Sequence, residues 1–161
     1  MKVTFTKYIS KESIFILDGT NKYEVIEKLI TEAAKQSKVD RDTISRLAWH
    51  REKMMTTGVG FSLALPHIRI NEIPEPVVLI GICKNPIEDY ESQDEKPIRI
   101  IIFIVAPDQN QEIYLQLLGS ISRKLRHPEI IHELIDNISR PSKILRILKR
   151  RQTEILDSEK I

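Results

Sequence analysis

The stretch IRIIIFIV, residues 98–105, decides the fold class, because seven of its eight residues are apolar and most of them are β-branched. The run VVLIGIC, residues 77–83, has the same character. Short, nearly continuous apolar runs of this kind are typical of strands that are covered on both faces. We therefore predict an α/β domain with a mixed central β-sheet flanked by helices.

Five amphipathic segments surround these strands. Their apolar residues recur at helical spacing, and the second and third segments span roughly residues 41–55 and 111–126. Each segment follows or begins with a residue that commonly starts a helix: Asn21, Asp40, Asn110, Pro128 and Pro141. The run SIFIL, residues 13–17, predicts a first strand or an extended entry segment, and the alternation in FSLAL, residues 61–65, predicts another strand.

The composition excludes several classes of protein. The chain has 161 residues, of which 41% are hydrophobic and 30% charged, so we expect one ordered domain over residues 1–161 with a flexible tail at 152–161. Cys83 is the sole cysteine, which excludes an internal disulfide framework and a cysteine-based zinc site. The sequence contains no apolar run of membrane-spanning length and no secretory signal, so we expect a cytoplasmic protein.

The charge is unevenly distributed. Residues 140–151 carry six basic and no acidic side chains, although the whole chain has a formal net charge of only +2. This segment is the single candidate for binding nucleic acid or an anionic surface. Short basic helices are more often solvated surfaces, so we expect no nucleic-acid partner and no insertion into a membrane.

His67 is the histidine whose setting suggests chemistry. Pro66 closes the predicted strand and places His67 in the exit loop, and functional residues of open α/β sheets gather at strand ends. Upstream, the backbone N–H groups of Gly58-Val59-Gly60 can face an anion. The alternative is that Gly58 only terminates the preceding helix and His67 is a turn residue.

Arg51 is a charged residue on the apolar stripe of the second predicted helix. A buried charge is costly unless it is paired or faces a cleft. Alternatively, Arg51 packs its aliphatic stem on the core and keeps its tip in water at the helix end.

The segment REKMMTTGVGFSLALPHIR, residues 51–69, resembles the active-site stretch of the enzyme IIA domains of the bacterial phosphotransferase system, of the fructose/mannitol type that includes the nitrogen-regulatory branch. The family pattern combines Arg-Glu, Thr-Gly-x-Gly and Pro-His. These motifs correspond to Arg51-Glu52, residues 57–60 and Pro66-His67. The resemblance extends through ILDGTNKYEVIEKLI near the N-terminus and LQLLGSISRKLRHPEIIHEL near the C-terminus.

The resemblance implies phosphoryl transfer without a cofactor or a metal. His67 takes the role of phosphoryl acceptor and Arg51 that of the family arginine. The phosphate-binding residues expected beside them are Thr57, Gly58, Val59, Gly60 and Tyr114. The implied donor is the phosphocarrier protein HPr or its nitrogen-branch paralogue, and the implied recipient is a IIB domain or a regulatory target protein.

The sequence departs from the family pattern in two places that bear on this expectation. Tyr114 stands where the family usually has a second histidine, so transfer to a IIB partner is less secure than phosphorylation. Phe61-Ser62 replaces a pair that usually contains glycine. The first hypothesis is therefore a phosphocarrier, and the alternative is a degenerate regulatory binding protein of the same fold without productive phosphotransfer.

Overall fold

The structure is a computed structural model and describes residues 3–71 and 73–150. The tail predicted at 152–161 and Arg151 of the basic segment lie outside the described residues. Within the described part, no helix has the length and apolar composition needed to cross a bilayer.

The described chain contains six strands, five α-helices and two short 3-10 helices. The strands are β1 (Ile14–Leu17), β2 (Gly58–Gly60), β3 (Leu63–Ala64), β4 (His67–Ile70), β5 (Val77–Ile87) and β6 (Ile98–Pro107). The α-helices are α1 (Lys22–Ser37), α2 (Arg41–Met54), α3 (Gln111–Leu125), α4 (Pro128–Asp136) and α5 (Pro141–Lys149), and the 3-10 helices are Phe5–Tyr8 and Lys11–Ser13. All five predicted helices are therefore confirmed.

All six strands form one mixed sheet in which β6 is the central strand. β5 pairs with β6 in antiparallel orientation, and β1 runs parallel to β5 on its outer side. The other edge of β6 is shared by β3 and β4, which follow one another along it and are both parallel to it. β2 is the outermost strand on this side and pairs with β3 in antiparallel orientation. The predicted mixed central sheet is confirmed.

The alternating side chains of β6 build two cores, one on each face of the sheet. Ile100, Ile102 and Ile104 pack with the apolar stripes of α3, α4 and α5. Phe103 and its alternate neighbours pack with α1 and α2 on the opposite face. Since a fully buried side chain of this size contributes about 1.5–3 kcal/mol, this strand is a major source of stability.

Side-chain caps start α1, α2 and α3 at the predicted residues. The Asn21 side chain accepts a hydrogen bond from the Glu24 amide at 2.9 Å, and the Asp40 side chain accepts one from the Thr43 amide at 3.1 Å. The Asn110 side chain caps α3 in the same way. These bonds satisfy amide groups that the helix itself cannot pair.

The prediction of a strand over residues 61–65 is wrong for its first two residues. Phe61 and Ser62 form the two-residue turn between β2 and β3, and both have positive φ angles, 59° and 60°. These are the φ signs of a type I′ turn, whose twist matches that of the strands on either side. The strand itself begins only at Leu63.

His67 does not lie in an exit loop, as predicted, but begins β4. Pro66 has no amide hydrogen to donate, but its carbonyl oxygen accepts a hydrogen bond from the Ile104 amide at 3.0 Å. The chain therefore stays on the edge of β6 through the proline, and His67 pairs opposite Ile104. His67 is consequently held by a sheet, which is more rigid than a loop.

Candidate active site

A single hydrogen bond fixes the tautomer of His67. The ring atom Nδ1 lies 2.5 Å from the carbonyl oxygen of Leu65. A carbonyl oxygen can only accept, so Nδ1 carries the proton and donates. The other ring nitrogen, Nε2, is then left with its lone pair, which makes it the nucleophilic atom of the imidazole.

The Leu65 peptide that orients His67 is held in turn by Thr57. The Leu65 amide donates to the Thr57 carbonyl oxygen at 2.9 Å. The Thr57 hydroxyl group is buried and hydrogen-bonded to the Glu52 carboxylate and, at 2.5 Å, to the Tyr90 hydroxyl group. These contacts link the C-terminal end of α2 to the backbone that positions His67.

Glu52 is the charged centre of this network. Its side chain is only 3% exposed, and its carboxylate forms an ion pair with Lys22 at 2.8 Å. It also accepts hydrogen bonds from the Tyr90 hydroxyl group at 3.1 Å and from Thr57. A buried carboxylate is tolerated when it is paired and hydrogen-bonded in this way.

His67 opens onto a cavity of about 240 Å³. Its walls come from α2, β4 and the first turn of α3: Leu47, Arg51, His67, Ile68, Arg69 and Tyr114. The Arg51 guanidinium group donates through Nη1 to the Met55 carbonyl oxygen at 2.7 Å, which holds it at the end of α2. The structure thus brings Arg51, His67 and Tyr114 together, although they are distant in the sequence.

Tyr114 faces His67 across this cavity. The two ring centroids are 5.8 Å apart, and the ring planes are tilted by 57°. Burial raises the pKa of the Tyr114 phenol, an effect that the nearby charges of Arg69 and Arg51 oppose. The phenol is therefore protonated at neutral pH and can donate a hydrogen bond to an anion in the cavity.

Sequence reasoning missed Arg69. Its guanidinium carbon lies 5.0 Å from the centroid of the Tyr114 ring, and the group also forms an ion pair with Asp108 at 3.4 Å. Residues two apart on a strand face the same side, so the position of Arg69 two residues after His67 was the available signal. The cavity consequently holds two guanidinium groups, from Arg51 and Arg69.

Burial also changes the acid–base behaviour of His67. Removal from water lowers the pKa of the imidazole below its ordinary value of 6.5, and the charge of Arg51 acts in the same direction. The hydrogen bond to Leu65 and the charge of Glu52 oppose this shift without reversing it. His67 is therefore neutral at pH 7, as a nucleophile must be.

The stretch Thr57–Gly60, predicted to bind phosphate, does not line this cavity. The amide of Thr57 bonds to Glu52, that of Gly58 to the Thr56 hydroxyl group, and that of Gly60 to the Ser92 hydroxyl group. These three amides are therefore already paired, and Val59 lies between them in β2. Thr57, Gly58, Val59 and Gly60, predicted as an anion-binding loop, instead lie in and beside a strand, and through Thr57 the stretch positions Leu65.

Gly58 is required for a different reason. A Cβ atom at this position would lie 2.2 Å from the Glu91 carbonyl oxygen, so only glycine allows β2 to pass this close to the segment at 91–92. Within residues 3–71 and 73–150, no group of three or more His, Cys, Asp or Glu side chains is placed to hold a metal ion.

Comparisons with known proteins place this geometry in a family. The family model described as "Phosphoenolpyruvate-dependent sugar phosphotransferase system, EIIA 2" matches residues 7–151. The fructose-specific EIIA component of the phosphotransferase system from Haloferax volcanii is 32% identical over 112 residues, which cover 69% of this chain and 72% of that protein.

Solved structures show the same fold. The nitrogen regulatory protein IIA-Ntr from Neisseria meningitidis has a TM-score of 0.82 at 19% identity, over 90% of this chain and 99% of that chain. The mannitol enzyme IIA from Escherichia coli, solved in a complex with phosphorylated enzyme IIB, has a TM-score of 0.71 at 21% identity, over 89% of this chain and 98% of that chain. Since the family model spans nearly the whole described chain, the protein belongs to the EIIA 2 family of the phosphoenolpyruvate-dependent sugar phosphotransferase system.

Proposed function

We propose that His67 accepts a phosphoryl group on Nε2 from a phosphohistidine of HPr or of its nitrogen-branch paralogue, in the cytoplasm. The observation that carries this proposal is the hydrogen bond from Nδ1 to the Leu65 carbonyl oxygen, which leaves Nε2 free inside a cavity with two guanidinium groups. The phosphorus–nitrogen bond of the donor breaks as the bond to Nε2 forms. Nδ1 keeps its proton, and the Leu65 carbonyl dipole stabilises the positive charge that develops on the ring.

The cavity supports this transfer by electrostatics. The transition state of phosphoryl transfer spreads negative charge over the equatorial oxygens. The Arg51 guanidinium group, fixed at the end of α2, is a charged donor that needs no reorganisation during the reaction. Arg69 adds a second positive charge beside Tyr114, whose hydroxyl group is a neutral donor.

The phosphoryl group then passes to a IIB domain or remains as a regulatory signal read by a target protein. The mannitol enzyme IIA with the same fold forms a complex with phosphorylated enzyme IIB, which supports a IIB domain as recipient. A phosphohistidine donor and a phosphohistidine product have similar energies, so the first transfer is reversible. Substitutions of Tyr114 can distinguish transfer to a IIB domain from retention of the phosphoryl group as a regulatory signal.

Replacing His67 by Ala is expected to abolish phosphorylation. The experiment is incubation with phosphoenolpyruvate, enzyme I and HPr, followed by intact mass. The parent protein gains one acid-labile phosphoryl group, and the variant gains none. His132→Ala, at an exposed histidine on α4, is the matched control and is labelled like the parent. Full labelling of His67→Ala would rule out His67 as the acceptor.

Arg51→Ala is expected to slow phosphorylation of His67 about 10²-fold, because one charged donor to the transition state is lost. Rapid-quench measurement of labelling rates tests this, with circular dichroism to verify folding. Arg51→Lys keeps the charge but loses the planar fork, so it falls between the parent and Arg51→Ala. A parental rate for Arg51→Ala would show that the guanidinium group only packs on the helix.

Phosphoryl acceptance is expected to persist below pH 6.5, because burial lowers the pKa of His67 beneath that value. The unfolded chain binds the proton more readily than the folded chain, so His67 also reduces stability as the pH falls from about 6.5 through its folded pKa. An NMR titration of the imidazole nitrogens gives the midpoint directly. A titration midpoint of His67 at or above pH 6.5 would contradict the lowered pKa and the expectation that acceptance persists below pH 6.5.

Tyr114→Phe and Tyr114→His together test the role of the phenol. If the hydroxyl group binds the phosphoryl oxygens, Tyr114→Phe slows labelling several-fold while the ring still packs beside His67. Tyr114→His is expected to raise the rate of transfer from phosphorylated His67 to a IIB domain. Parental rates for both variants in both assays would show that Tyr114 only fills space.

A further inference from the structure

A second cavity of about 350 Å³ is lined by α4, which packs on the opposite face of the sheet from α2. It is formed by the turn between β2 and β3, the start of β6 and one face of α4. The residues that line it are Phe61, Ser62, Lys96, Arg99, Pro128, Ile131, His132, Ile135 and Asp136. Its volume falls within the range of small-molecule sites, about 300–1,000 Å³. None of these residues lines the cavity at His67.

The turn at the mouth of this cavity is strained. Phe61 and Ser62 both adopt positive φ angles, in a two-residue turn where Asn-Gly is the favoured pair. The Phe61 side chain is 49% exposed, so burial does not compensate for its unfavourable backbone. Strained residues that stability does not explain are typical of ligand sites.

Surrounding hydrogen bonds hold the turn in this conformation. The Phe61 amide donates to Asp94 Oδ2 at 2.9 Å. The Ser62 carbonyl oxygen accepts from the amides of Arg99 and Ile100 at 2.9 and 3.0 Å. These bonds fix the backbone from which the exposed Phe61 side chain reaches the cavity lining.

Basic side chains converge on the same cavity. Arg99 is held by the backbone, since its Nε donates to the Cys83 carbonyl oxygen at 3.0 Å, so its charge is already in place. Lys96 and His132 are exposed, and the charge of Lys96 also acts on the nearby Asp94 carboxylate. Asp136 supplies one carboxylate, which can accept hydrogen bonds from hydroxyl or amino groups.

We propose that this cavity binds a mononucleotide, with the base stacked on Phe61, the phosphate on Lys96 and Arg99, and the ribose hydroxyl groups on Asp136. An aromatic platform beside cations and one carboxylate matches the three chemical parts of such a ligand. The site is separate from phosphoryl transfer, because Ser62 lies beside Ile100 of β6 whereas His67 pairs with Ile104. His67→Ala therefore retains binding.

The test is a titration of the full chain with AMP, adenosine and inorganic phosphate, followed by calorimetry and by backbone amide NMR. AMP is expected to bind saturably, at least tenfold more tightly than either fragment, with shifts at Phe61, Ser62 and Lys96. Lys96→Ala weakens AMP binding at least fivefold. Lys35→Ala removes the same charge from α1, on the opposite face of the sheet, and leaves binding unchanged.

Phe61→Asn separates a ligand-binding role from a structural one. Asn tolerates positive φ, so the variant is expected to melt about 2–4 °C higher than the parent. The same variant loses the stacking platform and binds AMP at least fivefold more weakly. Parental AMP affinity in Phe61→Asn, or phosphate binding as tight as AMP binding, would overturn the proposal, as would the absence of saturation at 10 mM AMP.

Discussion

The hydrogen bond between His67 Nδ1 and the Leu65 carbonyl oxygen is the constraint on which the candidate site depends. It leaves the lone pair on Nε2, and it depends on the Leu65 peptide being held in place. Leu65 donates to Thr57, and Thr57 is fixed by a buried network around Glu52. The Arg-Glu pair at the end of α2 thus has two tasks, since Arg51 lines the cavity and Glu52 secures the backbone beneath the histidine.

The sequence was sufficient to predict the fold class and most of the helices and strands. Continuous apolar runs identified β5 and β6, and helical spacing with capping residues identified all five helices. Local patterns could not show that β3 and β4 share one edge of β6. That arrangement depends on pairing between distant segments. Because of this pairing, His67 lies in a strand and not in the expected loop.

The sequence predicted those residues of the candidate site that stand out in their local sequence pattern. Pro66-His67 and the charge at Arg51 on an apolar stripe were visible in the sequence. The strand conformation of the glycine stretch was not visible in the sequence, because its amide partners come from residues 91–94 as well as from α2. Arg69 was overlooked because its contacts with Tyr114 and Asp108 join residues about 40 positions apart.

Because Cys83 is buried, its thiol can report local unfolding of the sheet. The thiol is enclosed between β1, β6 and the helices of one face, and burial raises its pKa to about 12. The reactive species of a thiol is the thiolate, so the folded state shields this side chain both sterically and by ionisation. As the chain has one cysteine, its rate of alkylation measures how often the centre of the sheet becomes accessible to solvent.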